Sequence, residues 1–564
     1  MLAGAVLAGS ALRLLSLGHG LPFVYNPDES SILARALSLA SGSLNPHNFL
    51  YPSLFFYVIA GCVGALALAA RATGRAPSLA AFESQFWQDP TTVYIAGRSL
   101  SAIAGVLTIV AVYRLALKAG DRSVARSAAW LMAVAYIPVR DAHFLKHDVP
   151  ATLLVTVAAL ASWWVWRRGT ARDYVVAGVG VGVAAAFHYP AALVVACLAV
   201  AHGLRARESA GAWLDRRIGI AGAAAALTFF VCSPYVILDF GTAVRDIQAN
   251  RAIIVSRAQQ VYGMFGSAWP QLEILRTQGA GIAWLIGAAV GLFALARRSR
   301  VTLLWLASFP VFFALFIANT WPFGRTANPL YPFLAVLGAA GLAWIAGRAG
   351  RYAGVVLTLL TIAAAAEPAA LSWRFVQLMA ETDTRTLAKG AIEANLEAGA
   401  GVAVEPYSVQ LNTSREQLIA ALDAAHVTPE RAGRRVRAML QREPYPSPAY
   451  RLYYIGEGGM DEDKIYIAPA SLALRAGERA PATPCLDVIV LKRAAPHGDN
   501  PLSKVVPAYA YKVLEESPFT DPAVAGDGFL ADFDVRPSWN VVRPGPVIEV
   551  WQAHTPCGAQ GGTP

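Results

Sequence analysis

The stretch Val93–Leu117, VYIAGRSLSAIAGVLTIVAVYRLAL, decides what kind of fold this chain can have. It is long and apolar enough to cross about 30 Å of hydrocarbon as a helix. Arg114, Lys118, Arg122 and Arg126 gather at its end, a basic cluster of the kind that orients a membrane protein. The pattern recurs along the chain. Apolar runs at 2–18, 123–138, 149–166, 173–187, 189–203, 217–236, 277–296, 301–319, 329–346 and 353–371 bring the predicted spans to eleven. Further basic clusters follow at Arg167/Arg168/Arg172, Arg205/Arg207/Arg216/Arg217, Arg297/Arg298/Arg300 and Arg348/Arg351.

Composition agrees with this reading. Of 564 residues 56% are hydrophobic and 15% charged, against about 25% charged in soluble domains. The mean hydropathy is +0.44. A net charge of +10 arrives in short clusters between apolar runs, which suits loops rather than a nucleic-acid surface, so no nucleic-acid partner is expected. The first run carries Arg13 and no clear small-residue cleavage site, and is read as an uncleaved span. The chain is predicted to be a polytopic α-helical protein of the cytoplasmic membrane, with a multi-spanning domain at 1–372.

The basic clusters fall at every second turn, as cytoplasmic loops require. The remaining turns then face outward: 139–148, the bend at 187–190, 237–276, 320–328 and everything after 372. For this parity to hold, the apolar stretch 51–70 must be interfacial or re-entrant within one outer loop from 19 to 92. Beyond 372 the composition turns polar, and residues 373–564 are predicted to form a soluble extracytoplasmic α/β domain. Its expected elements are a helix over 385–396, an apolar stretch at 401–405, a basic helix around 414–441, and strands at 453–455, 464–467 and 486–491. The tail from Thr555 reads as disordered. Cys485 and Cys557 could pair there in an oxidising compartment, whereas Cys62, Cys197 and Cys232 lie in apolar runs as small hydrophobes.

The outward turns collect the polar residues. Tyr25-Asn26-Pro27-Asp28-Glu29-Ser30 places two carboxylates behind the first span, where they serve either as the first turn of a helix or as functional groups at a membrane face. The second turn holds Arg140, Asp141, His143, Lys146, His147 and Asp148 between two spans. A capping role before Pro150 accounts for Asp148 and for the others less well. Tyr51 reads as an aromatic-belt residue or part of a shaped segment with His47 and Pro52. His188 and Tyr189 cap a bend or bind a ligand, and Arg325 snorkels to the interface or grips a phosphate. His143 and His147 share a helical face, but with no zincin glutamate and no thiolate cluster they give little indication of a metal. Phosphate-loop and dinucleotide fingerprints are absent.

The order of short motifs resembles that of the multi-spanning GT-C glycosyltransferases, in the branch of the protein O-mannosyltransferases and the aminoarabinose transferase of lipid A. The motifs are Pro27-Asp28-Glu29, Tyr51-Pro52-Ser53-Leu54, Gly97-Arg98-Ser99-Leu100-Ser101, Arg140-Asp141 with His143 and Asp148, and Cys232-Ser233-Pro234-Tyr235 with Leu238-Asp239. Gly324-Arg325 with Pro329 and Pro332, and Asp383-Thr384-Arg385, continue the series over roughly 1–405. The resemblance implies transfer of a sugar from a polyprenyl-phosphate or dolichyl-phosphate carrier, with inversion, to a glycan, lipid or protein acceptor outside the membrane. It implies Asp28 as general base, Glu29 as support for the outer loop or the substrate, and Asp148 as the second acidic residue. Arg325 and the basic second turn, Arg140, His143, Lys146 and His147, become candidates for substrate binding, with Tyr51 and His188. No cofactor is implied. Where this chain has His188-Tyr189, members often carry Lys-Tyr, so His188 would neutralise phosphate only when protonated. A transporter or lipid-carrier flippase is the alternative, against which the acidic residues lie at one face rather than at the bilayer midplane and no inverted repeat is visible.

Overall fold

Apolar runs become helices here because hydrocarbon offers no hydrogen-bond partner to the backbone, so each run must satisfy its own amides and carbonyls. A computed structural model describes residues 2–208, 215–424, 426–455, 470–472, 485–493, 500–520, 540–555 and 557. The chain divides into two compact units. The first holds Met1–Leu17, Arg35–Ala65 and Tyr94–Val376, and the second Gly18–Ala34, Leu66–Val93 and Gln377–Pro564.

The helices up to the middle of the chain are α1 (Leu2–Leu14), α2 (Pro27–Ser38), α3 (Leu54–Ala72), α4 (Leu79–Gln88), α5 (Thr91–Ala119) and α6 (Arg122–Val134). They continue with α7 (Tyr136–Asp141), α8 (Asp148–Arg167), α9 (Ala171–Phe187), α10 (Val195–Glu208) and α11 (Arg216–Cys232). Among the described residues seven helical stretches are long and apolar enough to cross a membrane: 54–72, 91–119, 148–167, 189–208, 281–298, 300–317 and 324–395. The protein is thus a polytopic α-helical membrane protein with about seven apolar spans and a C-terminal sheet-containing domain.

That count differs from the eleven expected. α1 and α6 have 13 residues each, and α9 and α11 have 17. At 1.5 Å per residue these cover about 20–25 Å, short of the hydrocarbon thickness. The expected spans 329–346 and 353–371 correspond to the separate helices Tyr331–Ala346 and Ala353–Ala380, parted at Gly350 (φ 53°, ψ −120°), and count once because both lie in the apolar stretch 324–395. The segment at 51–70 forms α3, a continuous 19-residue helix of spanning length.

The break between α6 and α7 has a local cause. Pro138 cannot donate to the carbonyl of Val134, and its ring would clash with that carbonyl in a continuous helix. Ala135 therefore leaves helical geometry (φ −57°, ψ 119°). The carbonyls released at the end of α6 are taken up by other elements of the same unit. Buried Arg13 donates Nη1 to Ala133 O at 2.7 Å and Nη2 to Met132 O at 3.1 Å. Ser372 Oγ donates to Val134 O at 2.9 Å. An arginine inside an apolar run, unexplained by hydropathy, thus caps a helix end.

Close helix packing in this unit depends on small residues. In the pair Gly281–Arg298 and Tyr331–Ala346, a Cβ at Gly291 would lie 1.9 Å from Leu337 O, and one at Gly341 would lie 1.9 Å from Gly287 O.

The second unit contains a six-stranded sheet: β1 (Gly401–Val404), β2 (Arg451–Ile455), β3 (Ala470–Leu472), β4 (Val488–Arg493), β5 (Ala510–Glu516) and β6 (Val547–Ala553). The order is β3-β2-β1-β4-β6-β5, parallel from β3 to β4 and antiparallel at β6 and β5. Alternation along the strands builds two cores. Val402, Val404, Val488, Val490, Ile548 and Val550 pack with Ala388 and Ile392 of helix Thr384–Asn395. Ala403, Ile489 and Leu491 pack with Val506 and Tyr509 on the other face. The expected helix at 414–441 is two helices, Arg415–Ala424 and Arg434–Leu440. The strand expected at 464–467 and most of the tail lie outside the described residues. Cys485 and Cys557 form a disulfide with Cα atoms 5.6 Å apart.

Candidate active site

In the first unit the segment Leu44–Ser53 is held from several sides, and this positions Tyr51. Asn45 Nδ2 donates to Asp239 Oδ2 at 2.8 Å, and the Phe49 amide donates to Asp246 Oδ2 at 3.0 Å. Asn250 Nδ2 donates to Leu50 O, Tyr189 Oη to Phe49 O, and the Ser53 amide to Ser233 Oγ. Asp239 and Ser233 belong to the motif that closes α11, so a contact between remote motifs fixes the first loop.

Tyr51 so placed packs against His147 in a tilted contact, with ring centroids 4.1 Å apart. His147 lies 5.0 Å from His188, and Tyr51 6.5 Å from it. Phe55 closes the group against His147 and Phe187. Desolvation by the surrounding protein lowers the pKa of His188 to about 3. His147 and Arg325 push the same way, and Asp148 opposes them. His188 is therefore a neutral imidazole at physiological pH, able to donate or accept one hydrogen bond but not to supply charge. Asp148 and Arg325 both act on this ring. The structure thus brings together Tyr51, His147, Asp148, His188 and Arg325, drawn from four separate stretches of sequence. Asp148 opens α8, where the helix dipole favours its negative charge.

The other residues of the second turn are placed differently. His143 is fully buried, with Nδ1 2.9 Å from Val139 O and Nε2 2.9 Å from Leu15 O, so both ring nitrogens face backbone carbonyls. Arg140 pairs with Asp141 (Nε to Oδ1 2.8 Å), both buried. Asn328 Nδ2 donates to Asp141 Oδ2 at 2.6 Å and to Arg325 O at 3.0 Å. Asp141 and Asn328 thereby tie the backbone of Arg325 to α7. Asp141 belongs to the polar second turn noted in the sequence but carried no assigned role there, and Asn328 was not among the predicted site residues; the juxtaposition of remote segments gives both their role. Lys146 is buried with Nζ 5.5 Å from the Phe144 ring, and its carbonyl accepts from Ser101 Oγ.

Asp28 and Glu29 belong to the second unit, in the first turn of α2. The Asp28 amide donates to Asn26 Oδ1 at 3.0 Å, a turn that sets the helix start. Glu29 is fully buried and Asp28 half-buried. The residues ahead of them are anchored by helix Thr384–Asn395 and the segment after β1. Tyr25 Oη is 2.7 Å from Thr386 Oγ1, Arg385 stacks over the Tyr25 ring at 4.0 Å, and Gln410 Nε2 donates to Val24 O. Arg385 is in turn fixed by a bidentate pair with Asp383, at 2.8 Å on each branch.

Residues 92–237 match the family model described as dolichyl-phosphate-mannose-protein mannosyltransferase. Among solved structures the chain is similar to ArnT from Cupriavidus metallidurans bound to undecaprenyl phosphate, with 12% identity, a TM-score of 0.48 and 97% of each chain covered. It is also similar to the Archaeoglobus fulgidus oligosaccharyltransferase in the apo form, at 13% identity and a TM-score of 0.44 over 71% of this chain. It spans about three-fifths of the length of that archaeal protein, 62%. A search of curated proteins returns no match.

Proposed function

We propose that this protein is a membrane glycosyltransferase that moves a sugar from a polyprenyl-phosphate or dolichyl-phosphate carrier to an acceptor outside the cytoplasmic membrane. The observation that carries the reading is the match of residues 92–237 to a lipid-phosphate-sugar transferase family, a segment that includes Arg140, Asp148 and His188. The cluster of Tyr51, His147, Asp148, His188 and Arg325 supports it, because it joins a carboxylate and a cation to ring faces and the neutral imidazole of His188, a set that suits a sugar phosphate.

In this mechanism an acceptor hydroxyl attacks the anomeric carbon. The new C–O bond forms as the bond to the carrier phosphate breaks, and the lipid phosphate leaves with the electron pair. Asp28 takes the hydroxyl proton, Glu29 supports the start of α2, and Arg325 balances charge on the departing phosphate. Attack opposite the leaving group inverts the anomeric configuration.

Reconstitution with a labelled polyprenyl-phosphate sugar tests the proposal. Labelled sugar on an acceptor, of inverted configuration, is the expected result. Movement of intact carrier across the bilayer without chemistry would favour a flippase, and loss of label to neither fate would remove the transferase reading.

A further inference from the structure

α8 carries two different chemistries at its ends. Asp148 begins it, and 20 residues later, about 30 Å along the axis, it ends at Arg167. Beside that far end is an open cavity of about 510 Å³ between α8 and α9. Ala161, Trp164 and Val176 form its apolar wall. Trp164 and Val176 are exposed on the outside of the bundle, as are Val175 and Val179 further along α9. Arg168 and Arg172 form the cationic rim, with Thr170 and Asp173 between them.

The rim is built rather than incidental. Arg168 stacks over the Trp164 ring at 4.3 Å and pairs with Asp173 at 2.5 Å, and Lys118 Nζ lies 4.7 Å from the same ring. Asp173 also accepts from the Thr170 amide and hydroxyl, so both of its carboxylate oxygens are engaged. The turn beneath is held from two more helices. Arg205 packs against Gly169, which sits at φ +61°, and Arg217 donates to Gly169 O. Among the described residues Arg172 pairs with no carboxylate, so the rim keeps a surplus positive charge.

We infer that this cavity binds an anionic phospholipid, with an acyl chain along Ala161, Trp164 and Val176 and the phosphate between Arg168 and Arg172. A wall that is apolar over part of its length and cationic at its end, with an aromatic ring at the join, matches a phospholipid at the headgroup level. The headgroup must be anionic overall. A zwitterionic one would bring a second cation to a rim that already keeps a surplus positive charge. The site is separate from the candidate active site, at the opposite end of α8.

Native mass spectrometry of the full-length protein in detergent tests this, with phosphatidylglycerol and phosphatidylcholine of identical acyl chains as probes. The wild type should retain phosphatidylglycerol preferentially. Arg172→Gln should weaken that retention about fivefold and leave phosphatidylcholine unaffected, since one arginine near an anionic surface contributes on that order. Val176→Trp, which fills the apolar wall from an exposed position, should weaken both lipids. Unchanged melting temperatures show that both variants are folded. Equal retention of the two lipids by the wild type, undiminished phosphatidylglycerol binding in Arg172→Gln, or preferential capture of a polyprenyl phosphate would overturn the assignment.

Discussion

Asp28 and Asp148 differ in what holds them, and the difference separates their expected roles. Asp28 is half-buried on a turn fixed by Asn26, behind a segment clamped by Arg385, Thr386 and Gln410. On the proposed mechanism, Asp28→Asn keeps the hydrogen-bonding shape and removes the base. Transfer should fall about 10²–10⁴-fold with membrane insertion unchanged, and single-turnover assays should show it. Asp148→Asn should weaken substrate binding; a folded variant with wild-type KM and kcat would remove Asp148 from the site. His188 sits in a cluster that keeps it neutral, so its role is a hydrogen bond or a ring contact. His188→Gln should then retain transfer within about fivefold, with an unchanged pH profile across about pH 5–8. A collapse of activity that follows protonation would show that a charge is needed there. The sequence offered Asp28, Asp148, Tyr51 and His188 as polar residues at predicted turns. It could not rank His143 below His147, because the partners that occupy His143 lie four residues away at Val139 and 128 away at Leu15.

At the scale of elements, the expected spans failed where a helix is interrupted or shortened for reasons that hydropathy does not measure. Pro138 divides 123–138, and Arg13 and Ser372 repair the carbonyls that this exposes. The pair Gly281–Arg298 and Tyr331–Ala346 shows the same dependence on tertiary contact. Gly291→Leu should force the two backbones apart, since even a Cβ would meet Leu337 O at 1.9 Å. Overpacking costs about 1–3 kcal/mol or more. The melting temperature of the detergent-solubilised protein should drop, whereas Gly64→Leu, at a site with open space, should leave it unaltered. In the sheet, Glu405 follows β1 and accepts from the Lys492 amide and Asn500 Nδ2, both at 2.9 Å. Burial raises its pKa, with Lys492 and Asn500 opposing. A carboxyl raised in the folded state binds its proton more tightly there than in the unfolded chain. Its stabilising share is therefore complete below the usual carboxylate value and is lost as pH rises through the folded value. Glu405→Gln should flatten that decline in the melting of the sheet-bearing unit as pH rises above the usual carboxylate value. An unchanged slope would show that Glu405 carries none of it.

For the whole molecule, the disulfide between Cys485 and Cys557 joins the start of β4 to the chain beyond β6, across 72 residues. Loop closure of that length stabilises by about 2–4 kcal/mol. Reduction, or the double change of Cys485 and Cys557 to Ser, should lower the melting of the sheet-bearing unit in the full chain by several degrees. No change on reduction would show that strand packing alone suffices. The two cysteines were visible in the sequence as a pair in one polar region, but their meeting was not, because it depends on the antiparallel β4–β6 register. The sequence by itself determined the membrane class, the apolar segments, the polar C-terminal region and the polar turns between apolar segments. These follow from composition and period, which are local properties of the chain. Tertiary structure alone decided that Arg13 caps α6, and that Asp141 and Asn328 hold the segment of Arg325. It alone gathered Tyr51, His147, Asp148, His188 and Arg325 into one cluster. Each of these depends on which remote groups satisfy a buried charge, a free carbonyl or a ring face, and no local pattern encodes that choice.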